Sequence, residues 1–205
     1  MAKATHREVE IKLPISDLPA LVKRLRRLGA RSRGRVLEEN TLYDTREAAF
    51  RTSGRLLRLR LEAPAPAGRR AFEACRGVLT SKAPISRPTG RTHSFRYKER
   101  LERELRVHAP AHWPEKLRAL GLKPTFCYEK FRTTYRLRGS PLHLDLDETP
   151  VGVFLELEGR PEAIDRTARA LGFAPRDYSR GTYWDVYVAD CRRRGRTPKN
   201  MVFRR

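Results

Sequence analysis

Three Glu-x-Glu pairs are the residues of this sequence that most directly suggest chemistry, and an Asp-x-Asp pair resembles them. The pairs are Glu8 with Glu10, Glu102 with Glu104, Glu156 with Glu158, and Asp145 with Asp147. Alternate residues share one face of a β-strand, so each pair would present two carboxylates on the same side. No histidine or cysteine cluster accompanies them, and an all-oxygen donor set favours Mg²⁺ or Mn²⁺ over zinc.

Lysines and arginines alternate in the same way on the predicted strands, some of them on the same strands as the carboxylate pairs. They are Lys12, Arg58, Arg60, Lys82, Lys98, Arg100, Lys130 and Arg132. A guanidinium group can bind two phosphate oxygens at once. Phosphoryl chemistry needs such a clamp to neutralise charge in the ground state, beside a metal that stabilises the charge developing in the transition state. The two sets together predict a polyphosphate site that uses Mg²⁺ or Mn²⁺.

The composition also calls for an anionic partner. The 205 residues include 45 Lys+Arg and 24 Asp+Glu, a formal net charge of +21. Candidate partners are nucleic acid, an anionic membrane surface or a phosphorylated small molecule. The longest apolar runs are too short to span a membrane, and the N-terminal residues do not resemble a secretory signal. Cys75, Cys127 and Cys191 are far apart and form no disulfide or zinc pattern, which indicates a reduced, cytoplasmic protein.

Hydrophobic periodicity predicts about eight strands interleaved with helices. The alternating segments are 8–13, 57–62, 80–82, 95–107, 130–138, 142–147 and 153–158, and a further strand is predicted over 36–44. Helices are predicted from a cap at Ser16 through residue 28, over 113–120 and over 161–171, each followed by a glycine. A helix or strand is predicted over 182–188, and loops over 63–70 and 83–94. The prediction is one domain over 1–190 and a loose basic tail over 191–205.

The strands are apolar on one face and almost entirely charged on the other. An antiparallel sheet with one solvated face is the simple interpretation. However, amphipathic helices need an apolar surface to cover, and the charged face must then point away from them. The favoured architecture is therefore α+β: a closed eight-stranded antiparallel barrel with a charged lumen and with helices packed outside. Like charges about 4 Å apart repel by about 4 kcal/mol at an effective dielectric of 20, so opposite charges or bound ions must offset them.

Several short motifs occur in an order that resembles the CYTH superfamily, the triphosphate tunnel metalloenzymes. The motifs are Glu8-x-Glu10-x-Lys12, Tyr43-Asp44-Thr45, Leu57-Arg58-Leu59-Arg60, Leu79-Thr80-Ser81-Lys82, Arg100-x-Glu102-x-Glu104, Lys130-Phe131-Arg132, Asp145-Leu146-Asp147 and the stretch 152–159. The resemblance covers about residues 6–188. It implies an eight-stranded tunnel that binds a triphosphate and one or two divalent ions.

The resemblance also implies roles for individual residues. Metal would be held by Glu8, Glu10, Glu156 and Glu158, together with Glu104 or an aspartate of the Asp-x-Asp pair; whether that aspartate is Asp145 or Asp147 is left open. Phosphates would be held by Lys12, Arg58, Arg60, Lys82, Lys98, Arg100, Lys130 and Arg132, and by Arg180, which stands where the family often has a lysine. Catalysis would depend on Glu8, Glu10, Lys12 and Lys82.

Three functions follow from these expectations. The first is hydrolysis of the terminal phosphate of tripolyphosphate, a nucleoside triphosphate or thiamine triphosphate. The second is that of a class IV adenylyl cyclase, which makes cyclic AMP and pyrophosphate from ATP. The third is a non-catalytic module that binds polyphosphate or RNA, which the glutamate pairs disfavour because they would repel a phosphate chain. The expected partner is a small triphosphate molecule and not nucleic acid or a membrane, and a homodimer is left open.

Overall fold

The computed structural model describes residues 5–65, 76–85 and 96–204. Cys75, Phe95 and most of the predicted loops over 63–70 and 83–94 lie outside the described residues. Cys127 and Cys191 are free thiols.

Eight strands close into one barrel. They are β1 (His6–Ile15), β2 (Arg31–Asp44), β3 (Leu56–Pro64), β4 (Arg76–Pro84), β5 (Lys98–Val107), β6 (Lys123–Arg136), β7 (His143–Thr149) and β8 (Gly152–Glu158). Around the barrel the order is β1-β5-β4-β3-β2-β6-β7-β8. Every neighbouring pair is antiparallel. The predicted α+β barrel is confirmed.

The strand register brings charged residues together on the inner face. Glu10 of β1 lies opposite Lys98 of β5 on one side and opposite Glu158 of β8 on the other. Lys12 lies opposite Glu156. Because successive residues of a strand point to opposite faces, one register places all alternate charges inside and all alternate leucines outside.

Five α-helices accompany the barrel in the described residues. They are α1 (Leu18–Arg27), α2 (Ala49–Thr52), α3 (Trp113–Ala119), α4 (Pro161–Ala170) and α5 (Tyr183–Arg193), with 3₁₀ turns at Pro110–His112 and Pro175–Asp177. The cap of α1 is Asp17 and not Ser16, because the Asp17 carboxylate accepts from the Ala20 N–H at 2.9 Å. The region over 182–188 is helical, and it begins with a capping box between Thr182 and Asp185.

The hydrophobic core lies mainly outside the barrel wall. The largest cluster joins the outer faces of β1, β7 and β8 to α1 and α4, with Ile11, Leu25 and Leu155 fully buried in it. A second cluster packs Leu117 of α3 against β3 and β5. A third joins α5 to β6 and includes Tyr183. The charged inner face is therefore free to line the lumen.

The C-terminal segment packs against the barrel, which corrects the expectation of a loose tail from residue 191. Helix α5 continues to Arg193, and Met201 forms a parallel bridge with Tyr128 of β6. The Met201 side chain is only 1% exposed. The Phe203 ring packs at 5.2 Å from the Phe131 ring. Two apolar side chains thus anchor a segment that is otherwise basic.

Within the described ranges, no helix has the length and apolar character needed to cross a membrane.

Candidate active site in the barrel lumen

The lumen contains a cavity of about 820 Å³. It opens beside the connection between β2 and β3 and the start of α5. The candidate site residues that line it are Glu8, Glu10, Lys12, Arg58, Arg60, Lys82, Lys98, Arg100, Glu104, Lys130, Arg132, Asp145, Glu156 and Glu158. Residues from opposite ends of the sequence therefore meet in one enclosed space.

Two lysines bridge glutamates at the carboxylate-rich end of the cavity. The Lys82 ammonium lies 2.6 Å from Glu8 and 2.5 Å from Glu102. The Lys98 ammonium lies 2.6 Å from Glu10. Each bridge joins different strands, so barrel closure is what forms these pairs.

Carboxylates in this region are crowded. Burial raises the pKa of Glu8 to about 7, assisted by repulsion from Glu10 and Glu102, although Lys82 opposes the shift. Burial and the negative charge of Glu8 likewise raise the pKa of Glu158 to about 7. Both groups would hold their negative charge more easily beside an additional cation.

Two neighbouring carboxylates remain charged. Burial tends to raise the pKa of Glu10, but attraction to Lys98 and Lys12 outweighs it, and the net pKa is lowered. Glu102 is also buried, yet its bridge to Lys82 lowers its pKa to about 2. Glu10 and Glu102 therefore carry a negative charge at neutral pH.

The middle of the lumen is organised around Arg132. Its guanidinium forms a bidentate pair with Asp147 at 2.7 and 2.6 Å and lies 3.1 Å from Asp145. It also pairs with Glu156, whose other oxygen pairs with Lys12. This network fixes the direction in which the bases point.

Asp147 serves as the buried anchor of that network. It is fully buried and does not line the cavity. Besides Arg132, its carboxylate accepts from Lys130 at 2.8 Å and from the Tyr183 hydroxyl at 2.5 Å. The Tyr183 ring also lies beneath the ammonium of Lys12, 4.2 Å from its centroid. In this arrangement Asp147 orients bases, whereas Asp145 faces the cavity.

Glu38, Tyr128 and Tyr183 belong to the site although they were not among the candidate residues. Glu38 is 1% exposed and lies 3.5 Å from both Arg60 and Lys130. Burial opposes its charge, but the surrounding bases lower its pKa well below the usual range. The two-residue spacing of Glu38 from Asn40 in the predicted strand 36–44 was the only signal for Glu38, and the two-residue spacing from Lys130 was the signal for Tyr128.

Arg58 and Arg60 present unused donors. Arg58 contacts the Tyr128 hydroxyl at 3.4 Å and the Thr80 hydroxyl at 3.3 Å, both long for hydrogen bonds. The Nε atoms of both arginines are buried without a hydrogen-bond partner. Buried donors normally find an acceptor, so this side of the lumen suits an anionic oxygen.

The cavity mouth is basic and is held in shape by Asp44. The Asp44 carboxylate accepts the backbone N–H groups of Thr45 and Phe50 at 2.8 Å and of Arg51 at 3.0 Å. This connection carries Arg46, Arg51 and Arg55 to the cavity lining. A basic entrance attracts a polyanion toward the lumen.

The remaining substrate candidate, Arg180, lies apart from the lumen. Its side chain is exposed and is not among the cavity lining. The neighbouring Ser179 pairs with the Lys12 backbone, which directs the chain toward Tyr183 instead.

The residues at the acidic end have the chemistry of a divalent cation site. Glu8 Oε2 is buried and has no hydrogen-bond partner. It faces a set of hard oxygen donors of the type that Mg²⁺ and Mn²⁺ prefer. In the part of the chain that the structure describes, no group of three or more His, Cys, Asp or Glu side chains is arranged to hold a metal ion, and Lys82 and Lys98 pair with Glu8 and Glu10.

Residues 6–171 match the family model for the CYTH domain, and the chain belongs to that family. No curated protein matches it. Among solved structures, PH1819 from Pyrococcus horikoshii OT3 superposes with a TM-score of 0.70 at 22% identity, over 89% of this chain and 99% of the other. A candidate adenylate cyclase from Vibrio parahaemolyticus gives 0.68 at 16% identity, over 89% and 98%.

A further neighbour is HpAC1 from Hippeastrum, a candidate adenylyl cyclase described as having a dominant triphosphatase activity. It superposes with a TM-score of 0.56 at 18% identity, over 93% of this chain and 97% of the other. At these identities the likeness shows a shared fold.

Proposed function

We propose that this protein is a divalent-metal-dependent triphosphatase that removes the terminal phosphate of tripolyphosphate, a nucleoside triphosphate or thiamine triphosphate. The observation that carries the proposal is the enclosed lumen, in which a crowded carboxylate group lies beside inward-facing bases with unused donors. The name given to the Hippeastrum neighbour and membership of the CYTH family support the same class of reaction.

The bases bind and orient the phosphate chain. Arg58 and Arg60 have buried Nε–H groups that lack acceptors, and a phosphate oxygen would supply them. Arg132 is held by Asp147 and Glu156, so its position is fixed before substrate arrives. Bases preorganised in this way stabilise transferring phosphoryl oxygens without reorganisation.

A cation would be held by Glu8, Glu10 and Glu158, where charge crowding is greatest. When bound, it would offset the charge that develops on the phosphoryl group. In the structure, Lys82 and Lys98 pair with Glu8 and Glu10. With substrate and cation bound, these ammonium groups would instead contact phosphate oxygens in part. Lys12 remains between Glu156 and the Tyr183 ring, which orients its ammonium toward the lumen.

Hydrolysis is preferred over cyclisation because it requires only that the phosphate chain be bound, and the charged side chains of the lumen suit that task. Cyclisation of ATP also requires the ribose and the base to be placed for attack on the α-phosphorus. The lysine and arginine side chains of the lumen suit phosphate oxygens, and no motif for binding adenine is evident in the sequence. Class IV adenylyl cyclase activity is retained as the second candidate because of the cyclase neighbours.

A product assay tests the proposal. Purified protein is incubated with Mg²⁺ or Mn²⁺ and with tripolyphosphate, ATP or thiamine triphosphate. Orthophosphate should be released, and cyclic AMP should not. Absence of turnover on every triphosphate would refute the proposal, and cyclic AMP with pyrophosphate would select the second candidate.

Variants separate the site from a contaminating phosphatase. Glu10→Gln removes one lumen carboxylate with little change in volume and should lower kcat by at least about a hundredfold, because metal and bases then lose their alignment. Glu115→Gln, on the exposed surface of α3, is the matched control and should retain full activity. Equal activity in both variants would place the reaction elsewhere.

A further inference from the structure

Most of the chain's positive charge belongs to residues that are not among the described lining of the lumen. Twelve lysines and arginines and eight aspartates and glutamates line the cavity, a net charge of +4. That leaves +17 of the chain's +21 for the remaining residues. A triphosphate in the lumen therefore accounts for only a small part of the basic character, and the outer surface requires its own explanation.

Two chain segments of the outer surface contain many bases and no acid, although Arg35 in one of them pairs with Glu148 of β7. Residues 18–37, which form α1 and the first half of β2, contain seven lysines and arginines and no aspartate or glutamate. Residues 130–144 also lack acids, and the two segments meet where Arg31 lies opposite Arg136. Leu28 and Leu137, one from each segment, pack against the same hydrophobic cluster. The two segments thus form one continuous surface.

We define the α1–β2 basic surface by its six exposed bases: Lys23, Arg26, Arg27, Arg31, Arg33 and Arg138. Within the described residues none of these side chains forms an ion pair with a carboxylate. Lys23 and Arg27 are four residues apart on one helix, a like-charge spacing that destabilises a helix slightly. This surface therefore concentrates like charges that have no carboxylate partner among the described residues.

We propose that the α1–β2 basic surface binds nucleic acid through its phosphate backbone. The carboxylates that argued against a nucleic-acid partner point into the lumen and cannot repel a strand lying outside the barrel. Five of the six bases are arginines, the side chain best suited to phosphate oxygens. Contacts of this kind position a protein on nucleic acid without reading its sequence.

The alternative of an anionic membrane is less well supported. Interfacial binding requires large apolar side chains that insert beside the basic ones. The large exposed hydrophobic residues of the described chain are Leu101, Leu120, Trp184 and Val202, and none lies on this surface. The surface offers charge alone, which matches a phosphodiester backbone better than a bilayer.

Fluorescence anisotropy with labelled single-stranded and duplex RNA and DNA tests the proposal. Binding should weaken steeply as salt rises, with a log–log slope as steep as about −5 for a duplex if all six bases neutralise phosphates. Saturating tripolyphosphate with Mg²⁺ should not displace the nucleic acid, because the lumen is a separate site. Displacement by tripolyphosphate, preference for anionic vesicles, or no binding at about 50 mM salt would each overturn the proposal.

Charge-reversal variants localise the contact. Arg27→Glu/Arg31→Glu/Arg33→Glu should reduce affinity at least roughly tenfold and make the slope shallower by about 3. The matched control, Arg118→Glu/Arg192→Glu/Arg196→Glu, changes the net charge equally on α3, on α5 and in the segment that follows α5. It should reduce affinity much less.

The variants also separate binding from folding and from catalysis. The triple change of Arg27, Arg31 and Arg33 to glutamine keeps the surface polar and should show a smaller loss in the same direction. Triphosphate turnover should be unchanged in all of these variants. Equal losses in the reversal variant and its control would mean that only net charge matters and would refute the specific surface.

Discussion

Asp147→Asn tests whether the lumen depends on one buried anchor. The substitution keeps the shape of the side chain but removes the negative charge that two bases share. Asp147 is fully buried and accepts from Lys130, Arg132 and Tyr183 at 2.5 to 2.8 Å. Removing one partner from a buried ion pair typically costs 3 to 5 kcal/mol, because the other charge stays buried. In a chain of this length, that corresponds to a fall in Tm of about 6 to 20 °C.

Asp145→Asn is the matched control from the same strand. Asp145 is 17% exposed and contacts Arg132 and the Thr134 hydroxyl at 3.1 and 2.7 Å. Its loss should cost about 1 to 2 kcal/mol, since water and other carboxylates can still serve Arg132. Thermal or urea unfolding of both variants measures the difference. If Asp147→Asn is no less stable than Asp145→Asn, the anchoring role is wrong.

Three further outcomes follow from the same structure. Met201→Ala should destabilise the protein by about 2 to 5 kcal/mol in urea unfolding, whereas the exposed Val202→Ala should cost little. The pKa values of Glu8 and Glu158 are raised from 4.5 to about 7, so in the pH window between these values the folded state binds more protons than the unfolded state. The Tm of the metal-free protein should therefore fall as the pH rises through this window. Stabilisation by Mg²⁺ should grow over the same window, and a constant Mg²⁺ effect would contradict the site. Lys82→Met should weaken tripolyphosphate binding and strengthen Mg²⁺ binding, both measured by calorimetry, because the Lys82 ammonium neutralises Glu8 and Glu102 and so competes with the cation. If both affinities change in the same direction, Lys82 and Mg²⁺ do not compete for these carboxylates.

The sequence predicts the barrel well because the information is local. Leu57, Leu59 and Leu61 alternate with Arg58 and Arg60, and this pattern separates an apolar face, which packs in the core, from a charged face. Similar patterns recur on most strands. Only the closed arrangement lets helices cover the apolar faces while the charges meet inside.

Residues whose role depends on distant partners were harder to predict. Glu38 is followed by Glu39 on the opposite face, so strict alternation of charge is lost at that point of β2. Tyr183 is an aromatic residue of the kind that packs in a core, and only the path of the chain past Lys12 brings its hydroxyl to Asp147. Its ring is indeed packed in a core cluster, so both descriptions apply to one side chain.

The C-terminal segment shows a packing interaction that amino-acid composition does not predict. Residues 192–204 are rich in arginine, which is typical of a solvated terminus. Met201 and Phe203 nonetheless attach this segment to β6, through a backbone bridge at Tyr128 and a ring contact with Phe131. Two apolar residues in a basic stretch give no periodicity, so sequence alone could not reveal the attachment.

The site and the fold are one and the same interaction network. The ion pairs that shape the lumen join residues far apart in sequence, such as Lys82 with Glu8 and Lys12 with Glu156. Each pair exists only in one strand register, and a slip of one residue would turn every charge outward. Correct strand pairing therefore has two effects. It lowers the free-energy cost of burying these charges, and it brings together the lysines and arginines that would bind phosphate. Since these groups stand on strands rather than loops, variation in substrate choice should arise at the mouth, where the connection held by Asp44 carries the entrance arginines.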